Sequence, residues 1–323
     1  MSPRPLPEPV IGVDLGGTKL SAGLVAADGS VRHAATVPTP ATAGPDAILA
    51  AMVALVRSIV AAAAAEGCSV AGLGVGAAGV IDPATGTVAA ATDHLRGWAG
   101  TPVAERLAAA TGLPVRVVND VHAHGLGEAR YGAGAGLAAV LLVAAGTGLG
   151  GALVLDGRVV TGARGVAGHL GHVPSPEATG LPCSCGRAGH LEAVASGTGL
   201  RDRYREGADG TDVTTGADVA RLAAGGDPWA TACLDRSAVA LGRAIGGWIN
   251  TVDPDVVIVT GGLAAAGPRW WDRLRQAVDA ETIPAAAGCP VVPATLGPHA
   301  ALVGAAGFLS NDDSDHPISR SRA

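Results

Sequence analysis

The chain is nearly without lysine and nearly without aromatic rings. Of 22 basic residues only Lys19 is a lysine, and Phe, Tyr and Trp make up 2% of the 323 residues. Hydrophobic cores must therefore be assembled from Val, Leu, Ile and Ala. Charged residues are also sparse at 15%, the net charge is −6, and no basic block occurs. This excludes the electrostatic footprint of a nucleic-acid binder. Five cysteines are an odd number, and Cys68, Cys233 and Cys289 are scattered, which argues against a secreted disulfide framework. The opening MSPRPLPEP lacks the apolar centre of a signal peptide. The apolar window Ile48–Ala65 carries Arg57 and reads as a buried amphipathic helix, not a membrane span. With no leader, no span and no disulfide frame, a cytoplasmic location is expected.

What is present is globular: 48% of residues are hydrophobic, enough for two domains with their own cores. Residues 10–31, VIGVDLGGTKLSAGLVAADGSV, read as strand, glycine turn, strand, Asp-Gly turn, strand. Residues 140–160, VLLVAAGTGLGGALVLDGRVV, repeat that layout. Two copies of one unit, half a chain apart, predict an internally duplicated α/β protein. Between and after them the pattern predicts a helix over 46–66, a strand over 70–76 ending in GAAGV, a helix over 102–111 and a strand over 113–120. Helices follow over 121–131 and within 217–252, then a strand over 255–262, a helix near 269–280, a strand around Val291 and a final helix from about His299. The expected domains are 10–120, joined by the terminal helix 299–310, and 121–298, with residues 1–9 and the tail 311–323 disordered. With no long linker between the halves, the expected ligand site is a cleft between them.

Three glycine turns follow strands directly: Gly16-Gly17-Thr18, Gly146-Thr147-Gly148 and Gly261-Gly262. Glycine lets backbone N–H groups approach an anion closely. The first two are neither a P-loop nor a dinucleotide fingerprint. Any one could be a plain hairpin; three together favour a cradle for nucleotide phosphates, with Lys19 inside the first. Asp14 and Asp120 fall at the carboxyl ends of predicted strands, where α/β proteins place functional groups. A carboxylate there can order Mg²⁺ and water or accept a hydroxyl proton during phosphoryl transfer; the alternative for Asp120 is a cap on the next helix.

Residues 167–192, AGHLGHVPSPEATGLPCSCGRAGHLE, gather three histidines and two cysteines. His172, Cys183, Cys185 and His190 suit tetrahedral zinc, and a redox pair would want C-x-x-C instead. Four protein ligands leave no open position, so a metal here would be structural. A polar loop without metal is the alternative. His94, His122, His124 and His299 read as surface or capping residues.

These motifs together closely resemble the ROK family (repressors, open reading frames and kinases) over about residues 10–310. DLGGTK at 14–19 resembles its first phosphate motif, ND at 119–120 its substrate and catalytic pair, and AAGTGLGG at 144–151 its second phosphate motif. DPDVVIVTGGLA at 253–264 is similar to its adenosine segment, and CSCGRAGHLE to its signature C-x-C-G-x-x-G-C-x-E. The resemblance implies the actin-like ATPase fold, two domains about a central cleft with a zinc-stabilised loop over 168–192. It also implies an ATP-dependent sugar kinase that uses Mg²⁺ and carries structural Zn²⁺. Asp120 would be the general base for the sugar 6-hydroxyl. Gly79, Asn119, His172 and Glu192 would lie on the sugar side, and Asp14 near the phosphates and Mg²⁺. The implied partners are a sugar and ATP, with no nucleic acid or membrane, and the assembly a homodimer or tetramer.

Two departures stand out. His190 replaces the family's third zinc cysteine, giving His₂Cys₂. His169 replaces the glutamate that the family's glucose kinases place near the first sugar carbons. A carboxylate accepts two hydroxyl hydrogen bonds, whereas neutral imidazole offers one donor and one acceptor. The GHxGH pattern resembles the family's bacterial N-acetylmannosamine kinases, making N-acetylmannosamine the first expectation and glucose or an amino sugar the alternative. The family's repressors carry a helix-turn-helix domain before the first phosphate motif; the nine residues before Val10 are not one, so a repressor is disfavoured.

Overall fold

The computed structural model describes residues 8–92, 94–208 and 213–309. The expected disordered tail 311–323, and all but the last two residues of the expected disordered N-terminus, lie outside them. Contacts divide the chain into two units. The first holds the described parts of Met1–Ala138, Ala152–Gly168 and Thr295–Ala323, the second Ala139–Gly151 and His169–Ala294.

The chain begins β1 (Val10–Leu15), β2 (Lys19–Val25), β3 (Val31–Pro38), α1 (Pro45–Ala65) and β4 (Leu73–Ala77). The hairpin β5 (Val80–Ile81) and β6 (Val88–Ala90) follows, then α2 (Val103–Thr111), β7 (Val115–Asn119) and α3 (Asp120–Tyr131). Next come β8 (Ala139–Ala145), β9 (Leu149–Leu155), β10 (Arg158–Val159), α4 (Glu192–Ala195), α5 (Gly197–Gly207) and α6 (Gly216–Ala224). The last elements are α7 (Pro228–Val252), β11 (Val256–Thr260), α8 (Pro268–Glu281), β12 (Val291–Pro293) and α9 (Ala300–Leu309).

The predicted duplication is present in the sheets. One five-stranded sheet is ordered β3-β2-β1-β4-β7 and the other β10-β9-β8-β11-β12, the same topology built twice. In the first, β1 pairs antiparallel with β2 and parallel with β4, which pairs parallel with β7. In the second, β11 runs parallel to both β8 and β12. Parallel central strands carry continuous apolar runs because both faces are covered. VVIVT in β11 and LGVGA in β4 are buried along nearly their whole length.

The structure departs from the sequence reading at three places. The predicted strand over 70–76 starts only at Leu73. The helices expected within 217–252 are α6 and α7, separated by the Gly225-Gly226-Asp227 turn, where Asp227 caps α7 by accepting from Trp229 and Ala230 N–H. His122, expected as a surface or capping residue, is 2% exposed, with Nε2 against the Ala167 carbonyl at 2.6 Å. Helix α3, placed by the sequence in the second domain, belongs to the first unit, where it packs on α9 and β4.

One described helix, α1, is long and apolar enough to cross a membrane by length and composition. Its Ile48, Met52, Val56, Ile59 and Ala63 are buried in the core with β1, β2 and β4, so it is a core helix.

Helix α9 lies against the first sheet because glycine removes the side chain at each crossing. A Cβ on Gly12 of β1 or Gly74 of β4 would collide with the backbone of Leu302 or Ala305, and one on Gly304 with the Ala123 carbonyl of α3. A buried carboxylate closes the same corner: Glu128 accepts from Ala133, Thr295 and Leu296 N–H. Gly247 of α7, by contrast, faces open space within 4 Å. Gly74→Ala should therefore lower unfolding free energy by about 1–3 kcal/mol, the usual cost of overpacking. Gly247→Ala should raise it by about 0.5–1 kcal/mol through helix propensity. Urea denaturation of both variants checks this pair of opposite signs.

Candidate functional site

In the first unit the chemistry gathers where β1 and β7 end on either side of β4. Asp14 is in register with Gly76, and Gly76 with Val118 next to Asn119. Gly76 is tight for a reason: a Cβ there would sit 3.0 Å from the Ala123 side chain and 3.4 Å from Asp120 Cα. Helix α3 begins at Asp120 with Asn119 as its cap, the Asn119 oxygen accepting from Val121 and His122 N–H. The helix-capping alternative raised for Asp120 thus falls to its neighbour. Asp120 Oδ1 accepts from Asn119 Nδ2 at 2.8 Å and from Val121 N–H at 3.0 Å.

Burial, followed by the nearby charge of Asp120, pushes Asp14 up from 3.8 to about 7. Burial likewise raises Asp120, against the lowering effect of its Val121, backbone and Asn119 hydrogen bonds. Two carboxyls of one sign in one partly dry place call for a cation or a proton.

The first glycine turn leaves β1 beside them. Gly16 N–H donates to the Lys19 carbonyl at 3.0 Å, while Thr39 holds the loop through its hydroxyl to Gly16 O and its N–H to Thr18 O. Gly17, Thr18 and Lys19 are exposed. Gly79 stands between β4 and β5 with φ 109°, its carbonyl accepting from Asn119 Nδ2 at 2.9 Å. The unit thus brings together Asp14, Gly16, Gly17, Thr18, Lys19, Gly79, Asn119 and Asp120.

The second unit holds the other predicted residues. Gly146 N–H donates to Gly148 O at 3.0 Å, closing the second turn with Thr147 at its tip. Helix α5 starts against it, with Gly197 N–H on Gly146 O at 2.7 Å and Thr198 N–H on Thr147 O at 3.2 Å. Gly261, at φ 91°, packs so closely on Ala145 and Gly146 that a Cβ would clash; Gly262 is open.

His172 ends a short 3-10 turn, Leu170–His172, and Glu192 opens α4. One Glu192 oxygen accepts from Leu149 N–H at 2.9 Å, the other from the Ser184 hydroxyl at 2.5 Å. Glu192 so ties the cysteine loop to the residue after the second turn. The His169 ring lies 6.3 Å from that of His172.

The four expected metal ligands do converge. One ligand atom from each of His172, Cys183, Cys185 and His190 lies within 4.8 Å of all the others. His172 Nδ1 is 3.6 Å from Cys183 Sγ, and His190 Nδ1 is 3.3 Å from Cys185 Sγ. A nitrogen and a sulfur on one tetrahedral zinc are separated by about 3.5 Å, from bonds of roughly 2.0 and 2.3 Å. The donor set and spacing fit zinc. Burial holds the Cys183 thiol above its ordinary value, a preference that a bound cation would reverse.

Several contributors were missed in the sequence. Thr39 and Ser184 act across a fold that local patterns do not show. Ser196, whose hydroxyl caps α5 at Gly199 N–H with 2.9 Å, was readable as a cap, but the glycines after it hid the helix.

The sequence matches the ROK family over residues 10–311. It is 34% identical to a glucokinase of Thermotoga maritima, over 93% of this chain and 96% of that one. It is also 34% identical to an N-acetylmannosamine kinase of Shigella flexneri, over 80% of this chain and 84% of that one. Among solved structures, a ROK family glucokinase from Streptomyces griseus in complex with glucose and AMPPNP superposes with a TM-score of 0.78. That pair shares 32% identity and covers 93% of this chain and 98% of the other.

The raised Asp14 has a consequence for stability. A carboxyl with a higher value folded than unfolded keeps its proton longer in the native state, so stability falls as pH rises from its ordinary 3.8 towards about 7. In ligand-free protein, Asp14→Asn should be more stable than wild type at pH 8, with the advantage gone by about pH 4. Thermal melts across that range test it; a variant no more stable at pH 8 than at pH 4, relative to wild type, contradicts the assignment.

Proposed function

The chain belongs to the ROK family, with the actin-like ATPase fold of its solved members, and on that premise we propose that it is an ATP-dependent sugar kinase acting on the 6-hydroxyl of a hexose or N-acetylhexosamine. The observation that carries the reading is Asp120. It stands at the start of α3 with one oxygen held by Asn119 and Val121 N–H, in the unit that also carries Asp14 and the first glycine turn.

In this reading Asp120 accepts the 6-hydroxyl proton while the sugar oxygen bonds to the γ-phosphorus and ADP leaves. Such transfer depends on positioning and charge neutralisation. The N–H groups of Gly17 and Thr18, and of Thr147 and Gly148, serve the phosphates from turns that Gly16 and Gly146 close with their own N–H groups, Lys19 adds a cation, and Gly261 and Gly262 flank the adenosine. Asp14 would order Mg²⁺, which supplies neutralisation of the phosphate charge.

His169, His172 and Glu192 carry sugar recognition. His172, with Nδ1 towards Cys183, keeps Nε2 for a hydroxyl. His172, Cys183, Cys185 and His190 would hold zinc, whose part is to stiffen this floor, since four protein ligands leave it no open position. ATP as substrate and reduced cysteines fit a cytoplasmic protein, and a homodimer or tetramer fits the family.

N-acetylmannosamine is our first choice of sugar because His169 offers one donor and one acceptor where a carboxylate offers two acceptors. Glucose is the second reading, favoured by coverage: at the same 34% identity the Thermotoga maritima glucokinase aligns over 93% of this chain and the Shigella flexneri N-acetylmannosamine kinase over 80%.

An ADP-release assay over glucose, N-acetylmannosamine, N-acetylglucosamine and amino sugars tests the proposal. One sugar should be turned over with clear preference; no turnover with any would sink it. Asp120→Asn should lose at least about 10²-fold in kcat while binding the sugar nearly as well. A variant keeping more than about a tenth of the wild-type rate would show that the base lies elsewhere. Metal analysis should find one zinc per chain, and Cys183→Ser should lose both the zinc and most of the sugar affinity.

A further inference from the structure

We propose that His122 is a positioning residue for sugar recognition: its buried imidazole holds the Ala167 carbonyl and so sets the course of the chain into His169. This rests on the kinase reading, in which His169 meets the sugar. His122 lies in the first turn of α3, is 2% exposed and has Nε2 2.6 Å from Ala167 O. A carbonyl only accepts, so Nε2 carries a proton and the ring donates. A buried polar side chain is costly to the fold unless its hydrogen bonds are made. This one takes no part in the proton transfer or the metal cluster, and its bond ends two residues before His169.

The segment that it holds has little else to order it. Residues 160–168, between β10 and the Leu170–His172 turn, form neither helix nor strand. Gly162, Gly165 and Gly168 take φ of 75°, 72° and 82°, a region that glycine enters freely and that makes the stretch costly to order. Val166 is 49% exposed, so the segment gains little apolar anchorage from its own large side chain. Gly165 lies so close to β5 that a Cβ would collide with the Ile81 carbonyl.

Ala167 is gripped from both sides. Its N–H donates to Thr161 O at 3.1 Å, and its carbonyl accepts from His122. Only Gly168 separates that grip from His169, whose own carbonyl accepts from His172 N–H at 3.1 Å. A recognition side chain on such a segment is only as well placed as the bonds behind it. With the Ala167 carbonyl released, the peptide before Gly168 can rotate and the His169 ring samples many poses. Sugar binding then has to order the segment first, which weakens it.

Two variants of the full chain separate the bond from the bulk. His122→Leu fills the space but cannot donate. His122→Gln places an amide nitrogen as many bonds from Cβ as the imidazole Nε2, so it can donate to Ala167. Should the leucine variant not fold, His122→Asn, whose amide falls one bond short, takes its place against the glutamine. Sugar Kd is measured by calorimetry with the sugar that wild type binds best, and KM for sugar and ATP by ADP release. His122→Leu is also made in a His169→Ala background.

The expected result is a sugar Kd and KM weakened about tenfold in His122→Leu, with ATP KM within about threefold of wild type. His122→Gln should return sugar affinity to within about threefold. In the His169→Ala background His122→Leu should weaken sugar binding by less than about twofold more. A leucine variant that binds sugar as wild type does, or a glutamine variant that restores nothing, would overturn the role of the bond. Equal losses in both backgrounds would show that His122 does not act through His169. A wild-type chain that binds sugar without transferring phosphate would overturn the kinase reading alone, because the Kd comparison still decides the role of His122. One that binds none of the sugars would overturn both.

Discussion

The first unit is organised around two carboxyls, Asp14 and Asp120, held at neighbouring strand ends where burial raises both and the charge of one raises the other. Folding alone would not favour such a pair. What keeps it is a set of local commitments that leave the chain little choice. Gly76 clears the space between them, Asn119 caps α3 and fixes Asp120, and α9 clamps α3 through the glycine crossing and Glu128. The unit spends stability on an arrangement that a phosphate-bound cation and a hydroxyl proton would satisfy. This explains why so much backbone precision surrounds a site with so few side chains.

The second unit solves a different problem. Its loop over 169–192 has almost no regular structure, and Ala178 and Leu191 anchor it in the core with Leu170, Val173 and Leu181 packed alongside. Around those anchors the histidines and cysteines converge, Arg243 pairs with Glu177 across to α7, and Glu192 reaches from the loop to Leu149. A metal at the four ligands would stiffen the loop and, through Glu192, the end of the second turn. Recognition of the sugar and of the phosphates would then share one support.

Much of this was legible in the sequence, for reasons that differ by element. The duplication showed because a strand, glycine turn, strand and Asp-Gly turn form a contiguous pattern, and both copies are intact. The metal ligands showed because 19 residues contain all four and only a few side chains ligate zinc. Helix α5 was hidden by the glycines that open it, and β5 and β6 by their length of two and three residues. The burial of His122 depends on Ala167, 45 residues away, and the anchoring of Asn119 on Gly79, 40 residues away. No local pattern reports contacts of that kind. Asn119 is the instructive case: its place beside Asp120 was readable, but the partners its amide holds, Gly79 among them, are set by the tertiary fold.

The central claim is that Asp120 directs a γ-phosphoryl group to the 6-hydroxyl of a sugar. ³¹P NMR of the product formed from ATP and the preferred sugar tests it most directly. The account predicts a single phosphomonoester coupled to the two protons on carbon 6. An ester at another carbon, or inorganic phosphate alone, would contradict it.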